Sequence, residues 1–146
     1  MNAKLHNKKW IAAIALAGTV GLVASCQTMM TSGEQVTLSG ANEVPPVATS
    51  AAGSGTVTIK DDRSVAAKIT VTGMTATAAH IHEAAAGSNG PVIVPFIKTA
   101  DNTFEAPPDA KLTEAQYASY KAGKLYVNVH SAKNPGGEVR AQLKGS

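Results

Sequence analysis

Three histidines are the residues in this sequence whose type and spacing are best suited to chemistry. His80 and His82 lie two positions apart in the segment AHIHE, and His130 ends a second segment, YVNVH. Side chains two apart on a β-strand point to the same face, so the first two rings should lie side by side. Imidazole is a good ligand for zinc and copper, and three imidazoles from two neighbouring strands would make a metal site with an open position.

The alternative is that the histidines only form hydrogen bonds. In that interpretation the rings bond to Asn128, to Glu138 or to loop carbonyl groups, and they order the turn at residues 87–91. The residues alone leave both interpretations open.

Alternation of apolar and polar residues indicates the strands that must position these histidines. In the segment LYVNVHS, Val127 and Val129 alternate with Asn128 and His130. We expect the apolar residues to face a core and the polar residues to lie on the other side of the sheet. The same alternation in two more segments predicts a shared polar face carrying His80, His82, Asn128, His130, Glu138 and Arg140. Beside the metal ligands we expect Glu83, Asn128, Glu138 and Arg140.

No other pattern in the sequence is typical of catalysis. The serines lack a G-x-S-x-G segment, and Glu34, Glu43 and Glu83 lie in separate segments that offer no spaced acid and base. The glycine-rich segments lack the lysine of a phosphate loop. The sequence therefore predicts a protein that is not an enzyme.

The N-terminal region has the composition of a secretory leader. Lysines precede an apolar run at residues 10–23 that is too short for a comfortable membrane span. The run ends in LVASC, which resembles the bacterial lipobox, and Cys26 is the only cysteine of the chain. The resemblance implies a lipoprotein signal peptide over residues 1–25 and a lipid such as palmitate on Cys26. An ordinary signal peptide with an incidental cysteine is the alternative.

Lipid attachment would place the protein in the bacterial cell envelope. Gln27 follows the cysteine in place of the Asp that often retains lipoproteins at the inner membrane. We therefore expect the outer membrane if the host is Gram-negative, with the lipid on Cys26 as the contact to the membrane.

Removal of the leader also changes the charge of the chain. The whole sequence carries a formal net charge of +3, but residues 26–146 hold ten basic and ten acidic residues. A neutral chain gives no reason to expect nucleic acid as a partner. Its length fits one domain.

Short β-type segments separated by Gly, Pro, Asn and Asp fill most of the mature chain. Residues 26–35 are expected to form a tether and residues 36–146 the domain. Thr113, with Gln116 three residues later, predicts a capped helix that ends before Gly123. These features predict an all-β fold, an antiparallel Greek-key sandwich or barrel of the immunoglobulin-like or superoxide-dismutase-like kind, with one short helix. The predicted strands are 36–39, 55–60, 65–72, 78–82, 92–98, 103–105, 125–130 and 139–143.

Three longer segments together resemble the CHRD domain, a family named from repeats in chordin. They are LSGANEVPPVATSAAGSGTV, AHIHEAAAGSNGPVIVPF and LYVNVHSAKNPGGEVRAQL, and the resemblance extends from Val36 to Leu143. It implies a β-sandwich outside the cytoplasm and implies little about activity. Glu83-Ala84 departs from the family pattern, in which a glycine is common, and it offers a carboxylate beside the histidines.

A weaker resemblance concerns the metal. H-I-H-E is similar to the H-V-H-E ligand strand of copper–zinc superoxide dismutases, although the bridging-histidine and zinc-loop motifs are missing. This favours copper or zinc and does not imply dismutation. Two functions stay open: a lipid-anchored, non-catalytic binding or structural module with an unidentified protein or small-ligand partner, or a lipoprotein for copper or zinc storage, delivery or protection.

Overall fold

Antiparallel strands, one short α-helix, one turn of 3-10 helix (Gly40–Asn42) and the loops between them make up residues 33–145, the part of the chain that the computed structural model describes. The prediction of an all-β fold with one short helix is confirmed. The expected signal peptide, Cys26 and most of the expected tether lie outside the described residues. The elements are β1 (Glu34–Ser39), β2 (Ala52–Ile59), β3 (Val65–Thr72), β4 (Ala76–Glu83), β5 (Val92–Pro95), β6 (Ile97–Ala100), β7 (Thr103–Glu105), α1 (Glu114–Lys121), β8 (Leu125–Ser131) and β9 (Val139–Gln142).

The strands form one sheet in the order β5-β4-β8-β9-β1-β2-β3-β7-β6, and every pair is antiparallel. Its two end strands, β5 and β6, are separated in the chain only by Phe96. Near this point the Phe96 N–H donates to the Ala79 carbonyl at 3.0 Å, and Lys98 Nζ donates to the Ala76 carbonyl at 3.2 Å. The sheet therefore curls until its ends almost meet, as in a barrel.

The segment predicted as one strand over residues 92–98 is two strands. β5 pairs with β4, whereas β6 pairs with β7 at the opposite end of the sheet. The chain must leave one edge and join the other at Phe96, so the pairing breaks there. Alternation along the sequence does not reveal this change of partner.

Local backbone geometry and capping define the turn after β2 and the helix. Arg63 adopts a positive φ of 70° in the turn between β2 and β3. The capping box is confirmed, because Gln116 N–H donates to Thr113 Oγ1 at 3.2 Å and the Gln116 side chain accepts from Thr113 N–H at 2.9 Å. Gly123, with φ of 69°, ends the helix. Within residues 33–145 we find no helix with the length and apolar character needed to cross a membrane.

The apolar side chains of alternate strand positions fill the interior of the barrel. Ile81, Val127 and Val129 are fully buried there, together with Leu38 and Ile69 from the opposite wall. This is the face that alternation predicts for β4 and β8. The other face of the same strands carries the polar residues.

Candidate metal centre

Strands β4, β8 and β9 are neighbours, and their pairing brings the predicted polar residues together. The register pairs His80 with Asn128, and Asn128 with Arg140, so these three lie in a row across the strands. His82 and His130 flank that row on the same face, because each lies two positions along its strand. The structure thus collects all three histidines that the sequence predicts as ligands.

Most of this polar face is buried, with His80 only partly so, and alternation alone does not predict this burial. Two loops cover it, residues 84–91 and residues 132–138, which we call the first and second cover loops. Beneath them Tyr126 and Asn128 are each 2% exposed, and Arg140 is 1% exposed. The strands therefore have an apolar interior on one side and a buried polar layer on the other.

The three imidazole rings are close enough to share one ion. His80 Nδ1 lies 3.0 Å from His130 Nε2. One nitrogen from each of His80, His82 and His130 lies within 4.8 Å of the others. Two ligands about 2.0–2.1 Å from a tetrahedral zinc are roughly 3.4 Å apart, so small movements of the rings would complete such a site.

Loop carbonyl groups set the orientation of two of the rings. His82 Nδ1 donates to the Gly90 carbonyl, and His130 Nδ1 donates to the Pro135 carbonyl, both at 2.9 Å. A carbonyl oxygen only accepts, so the proton of each neutral ring is on Nδ1 and the lone pair is on Nε2. The histidines thus bond to loop carbonyls, as the second interpretation expects, and each ring also brings one nitrogen close to the other two, as the first expects. Metal-binding histidines commonly have this second hydrogen bond.

Burial favours the neutral form of two of the rings, those of His80 and His82. It lowers the pKa of His80 to about 4, with a smaller effect of the nearby His130 and His82 rings. Burial also lowers the pKa of His82, although the hydrogen bond to Gly90 acts in the opposite direction. Both rings are therefore neutral at pH 7, which is the state that binds metal ions.

A column of stacked side chains supports His82 from one side. The Tyr126 ring stacks on the His82 ring at 4.8 Å between centroids and 7° between planes. The Arg140 guanidinium carbon lies 3.4 Å from the centroid of the Tyr126 ring, which is a close cation–π contact. Gly90 joins the same group, since its N–H donates to the Tyr126 hydroxyl at 3.3 Å.

Arg140 also holds the first cover loop in place. Its Nη2 donates to the Ser88 carbonyl at 2.9 Å, and its Nη1 donates to Asn89 Oδ1 at 3.2 Å. Gln142, two residues along β9, donates to the Ala84 carbonyl of the same loop at 3.0 Å. The sequence places Arg140 beside the site, and the structure shows that it acts through the loop and through Tyr126.

The two predicted carboxylates, Glu83 and Glu138, have other contacts in the structure. Glu138 is buried, and its oxygens accept from Thr49 Oγ1 at 2.7 Å and from the Ser131 hydroxyl. The Ser131 bond, above all, lowers the pKa of Glu138. Glu83 anchors the first cover loop through its backbone N–H, which donates to the Pro91 carbonyl at 3.1 Å. Among the described residues, neither carboxylate belongs to the group of ligand atoms formed by the histidines.

Sequence reasoning missed four residues that shape the site: Gly90, Pro135, Tyr126 and Glu43. Gly90 cannot be another residue without movement of the loop, because a Cβ there would lie 1.9 Å from the Glu83 carbonyl oxygen. Tyr126 could have been found from the sequence, since alternation places it on the polar face with Asn128. The other three act through the fold, and no local pattern marks them.

Glu43 is a buried carboxyl group at the edge of the polar layer. Burial raises its pKa, while Arg140 and the Asn128 side chain act in the opposite direction. Glu43 and Arg140 also line a cleft of about 740 Å³ between β1, β9 and the segment after β1, whose lining does not include the three histidines. The cleft is therefore separate from the candidate metal centre.

Comparison with known proteins identifies the family. The model of the CHRD domain matches residues 35–143. No curated protein and no solved structure shows significant similarity to the chain. The chain belongs to the CHRD domain family. Membership of this family suggests that the domain binds a partner or ligand.

Proposed function

We propose that this protein is a non-catalytic module of the bacterial cell envelope that binds a copper or zinc ion through His80, His82 and His130. The observation that supports the proposal most strongly is the state of His82. Its Nδ1 is held by Gly90, and its Nε2 is buried without a hydrogen-bond partner. A buried unpaired acceptor costs about 1–3 kcal/mol, and a metal ion would remove that cost.

The donor set fits the ion. Imidazole suits copper and zinc, and the bonds of the His82 and His130 Nδ1 atoms to loop carbonyls leave each Nε2 for the ion. In the absence of metal the His80 Nδ1–H donates to His130 Nε2, so His80 must turn or change tautomer when an ion binds. The Gly90 and Pro135 carbonyls hold the other two rings while it does so.

The proposed location rests on the leader. A lipid on Cys26 would attach the domain to the membrane. The domain would stay close to the membrane surface, because β1 begins only eight residues later, at Glu34. Cys26→Ala should release the domain from membrane fractions or leave it unprocessed. Mass spectrometry that finds an unmodified N-terminus downstream of Cys26 would contradict the anchor and leave the metal site untouched.

Calorimetric titration of the metal-stripped domain with zinc and with copper tests the proposed site. We expect saturable binding of one ion and a loss of at least about 10-fold in affinity for His80→Ala, His82→Ala or His130→Ala. The losses should not add, because the three ligands act as a unit. Ser131→Ala is the matched control, since Ser131 is also a buried polar residue of β8 and bonds to Glu138. Binding that survives the His80→Ala/His82→Ala double substitution would show that the site lies elsewhere.

A further inference from the structure

Three buried polar atoms of the described residues lack a hydrogen-bond partner, and they belong to neighbouring side chains. They are His82 Nε2, Asn128 Oδ1 and Glu43 Oε1. Asn128 lies between the other two, because its side chain interacts both with the His82 ring and with the Glu43 carboxyl group. Unpaired buried polar atoms are rare, so their clustering beside the three histidines calls for an explanation.

The surroundings of the Asn128 amide fix its orientation. The amide nitrogen lies 3.5 Å from the Gly136 carbonyl oxygen, which can only accept. A Cβ on Gly137 would lie 2.6 Å from the same nitrogen and 2.5 Å from Glu43 Oε1, so the carboxyl group approaches Asn128 from this side too. Two acceptors on one side require the NH₂ group there and leave the oxygen on the side of the His82 ring.

The Asn128 oxygen and the free nitrogen of His82 therefore present lone pairs to the same space. The Nδ1–H of His82 donates to the Gly90 carbonyl, so Nε2 is the ring nitrogen that stays buried without a partner beside the Asn128 side chain. Asn128 is 2% exposed, and its oxygen has no other partner. Two buried lone pairs that face each other are unfavourable unless a cation or a donor lies between them.

We infer that Asn128 Oδ1 is the fourth protein ligand of the metal ion that His80, His82 and His130 bind. This inference rests on the proposed function and completes its donor set. An amide oxygen is a known weak axial ligand at copper sites. Four protein donors make a closed site, which fits storage or structural binding better than catalysis, for which a position must stay open. Gly136 and Glu43 act as positioning groups, because both lie on the side of the amide nitrogen and so favour the opposite side for its oxygen.

Cobalt(II) and zinc are the probes that test the inference, with Asn128→Ala and Asn128→Asp as the variants. Cobalt(II) in the wild-type site should give an absorption spectrum that azide does not change, since no position is open. Asn128→Ala should make the spectrum sensitive to azide and weaken zinc binding by about 10-fold. Asn128→Asp should keep the spectrum insensitive to azide and bind zinc at least as tightly as the wild type.

Asn42→Ala is the control, because it removes another amide, one that bonds to the Arg140 carbonyl outside the cluster. Circular dichroism and the melting temperature of each metal-free variant show whether it is folded. Histidine-dependent zinc binding with identical azide responses in wild type and Asn128→Ala would overturn the inference alone. An equal loss of zinc affinity in Asn128→Ala and Asn128→Asp would also overturn it, since the side chain would then be only structural. A wild-type domain that binds no metal would overturn the proposed function together with the inference.

Discussion

The barrel interior and the buried polar layer are built by alternate residues of the same strands, yet different interactions stabilise them. In the interior, Val127 and Val129 pack against other apolar side chains, and each buried side chain of this size contributes about 1.5–3 kcal/mol. In the polar layer, His82 and Arg140 instead bond to backbone groups of the first cover loop. The interior is thus built mainly by apolar side chains of the strands, whereas the candidate site also depends on two loops.

Val127→Asp should have the largest effect, because it attacks the interior. Val127 is fully buried, and an unpaired carboxylate there should cost at least about 4 kcal/mol and unfold the domain. Val92→Asp is the control, since Val92 is 46% exposed on β5. Circular dichroism and thermal melting measure both. A folded, soluble Val127→Asp protein would mean that the two faces have been assigned the wrong way round.

Arg140→Met should have the next largest effect, on the polar layer. It removes the bonds to Ser88 and Asn89 and the contact with Tyr126, and we expect a loss of about 3 kcal/mol in the free energy of unfolding. Faster hydrogen exchange should be confined to residues 84–91. Arg63→Met, which changes the other arginine of residues 33–145, should leave both measurements unchanged. If Arg140→Met instead alters hydrogen exchange throughout the sheet, Arg140 supports the whole domain and not the first cover loop in particular.

Gly90→Ala should disturb the first cover loop and, through it, the orientation of the His82 ring. The added Cβ would meet the Glu83 carbonyl oxygen, so the loop must move and the bond to His82 Nδ1 must weaken. We expect about 2 kcal/mol of destabilisation and a loss of roughly 10-fold in zinc affinity. Gly136→Ala is the control in the second cover loop, because an added Cβ there has nothing within 4 Å and the backbone carbonyl that contacts Asn128 is kept. Calorimetry would count against a role of the loop if both variants bound zinc like the wild type.

The smallest effect concerns pH and His80. The pKa of this ring is about 4 in the folded protein against an ordinary value of 6.5, so between these values the unfolded chain binds a proton that the folded domain does not. The contribution of His80 to stability is therefore constant above pH 6.5 and declines as the pH falls from 6.5 to 4. His80→Gln should show a smaller fall in melting temperature over this range than the metal-free wild type. Equal falls in melting temperature for His80→Gln and the metal-free wild type would mean that the fold does not keep His80 neutral.

The strands and the histidine cluster could be predicted because both depend on alternation. The period of two residues places Val127 in the core and sets His80, His82 and His130 on one side. The burial of that side could not be predicted, because it depends on loops whose contacts are distant in sequence. The Gly90 carbonyl reaches His82 only after the chain has turned back at residues 84–91, and Glu43 reaches Asn128 from a segment 85 positions earlier. The split of residues 92–98 into two strands could not be predicted either. It depends on pairing with strands distant in the sequence, and the curl of the sheet sets that pairing.

Anomalous diffraction from crystals loaded with zinc or copper would locate the metal ion without the need for any substitution. We expect a single strong peak at the absorption edge of the metal, about 2.0–2.1 Å from the Nε2 atoms of His82 and His130 and bonded to a ring nitrogen of His80. The Nδ1 atoms of His82 and His130 should still donate to the Gly90 and Pro135 carbonyls. A saturated crystal without a peak between these three rings, or with the metal bound elsewhere on the domain, would contradict the proposed site.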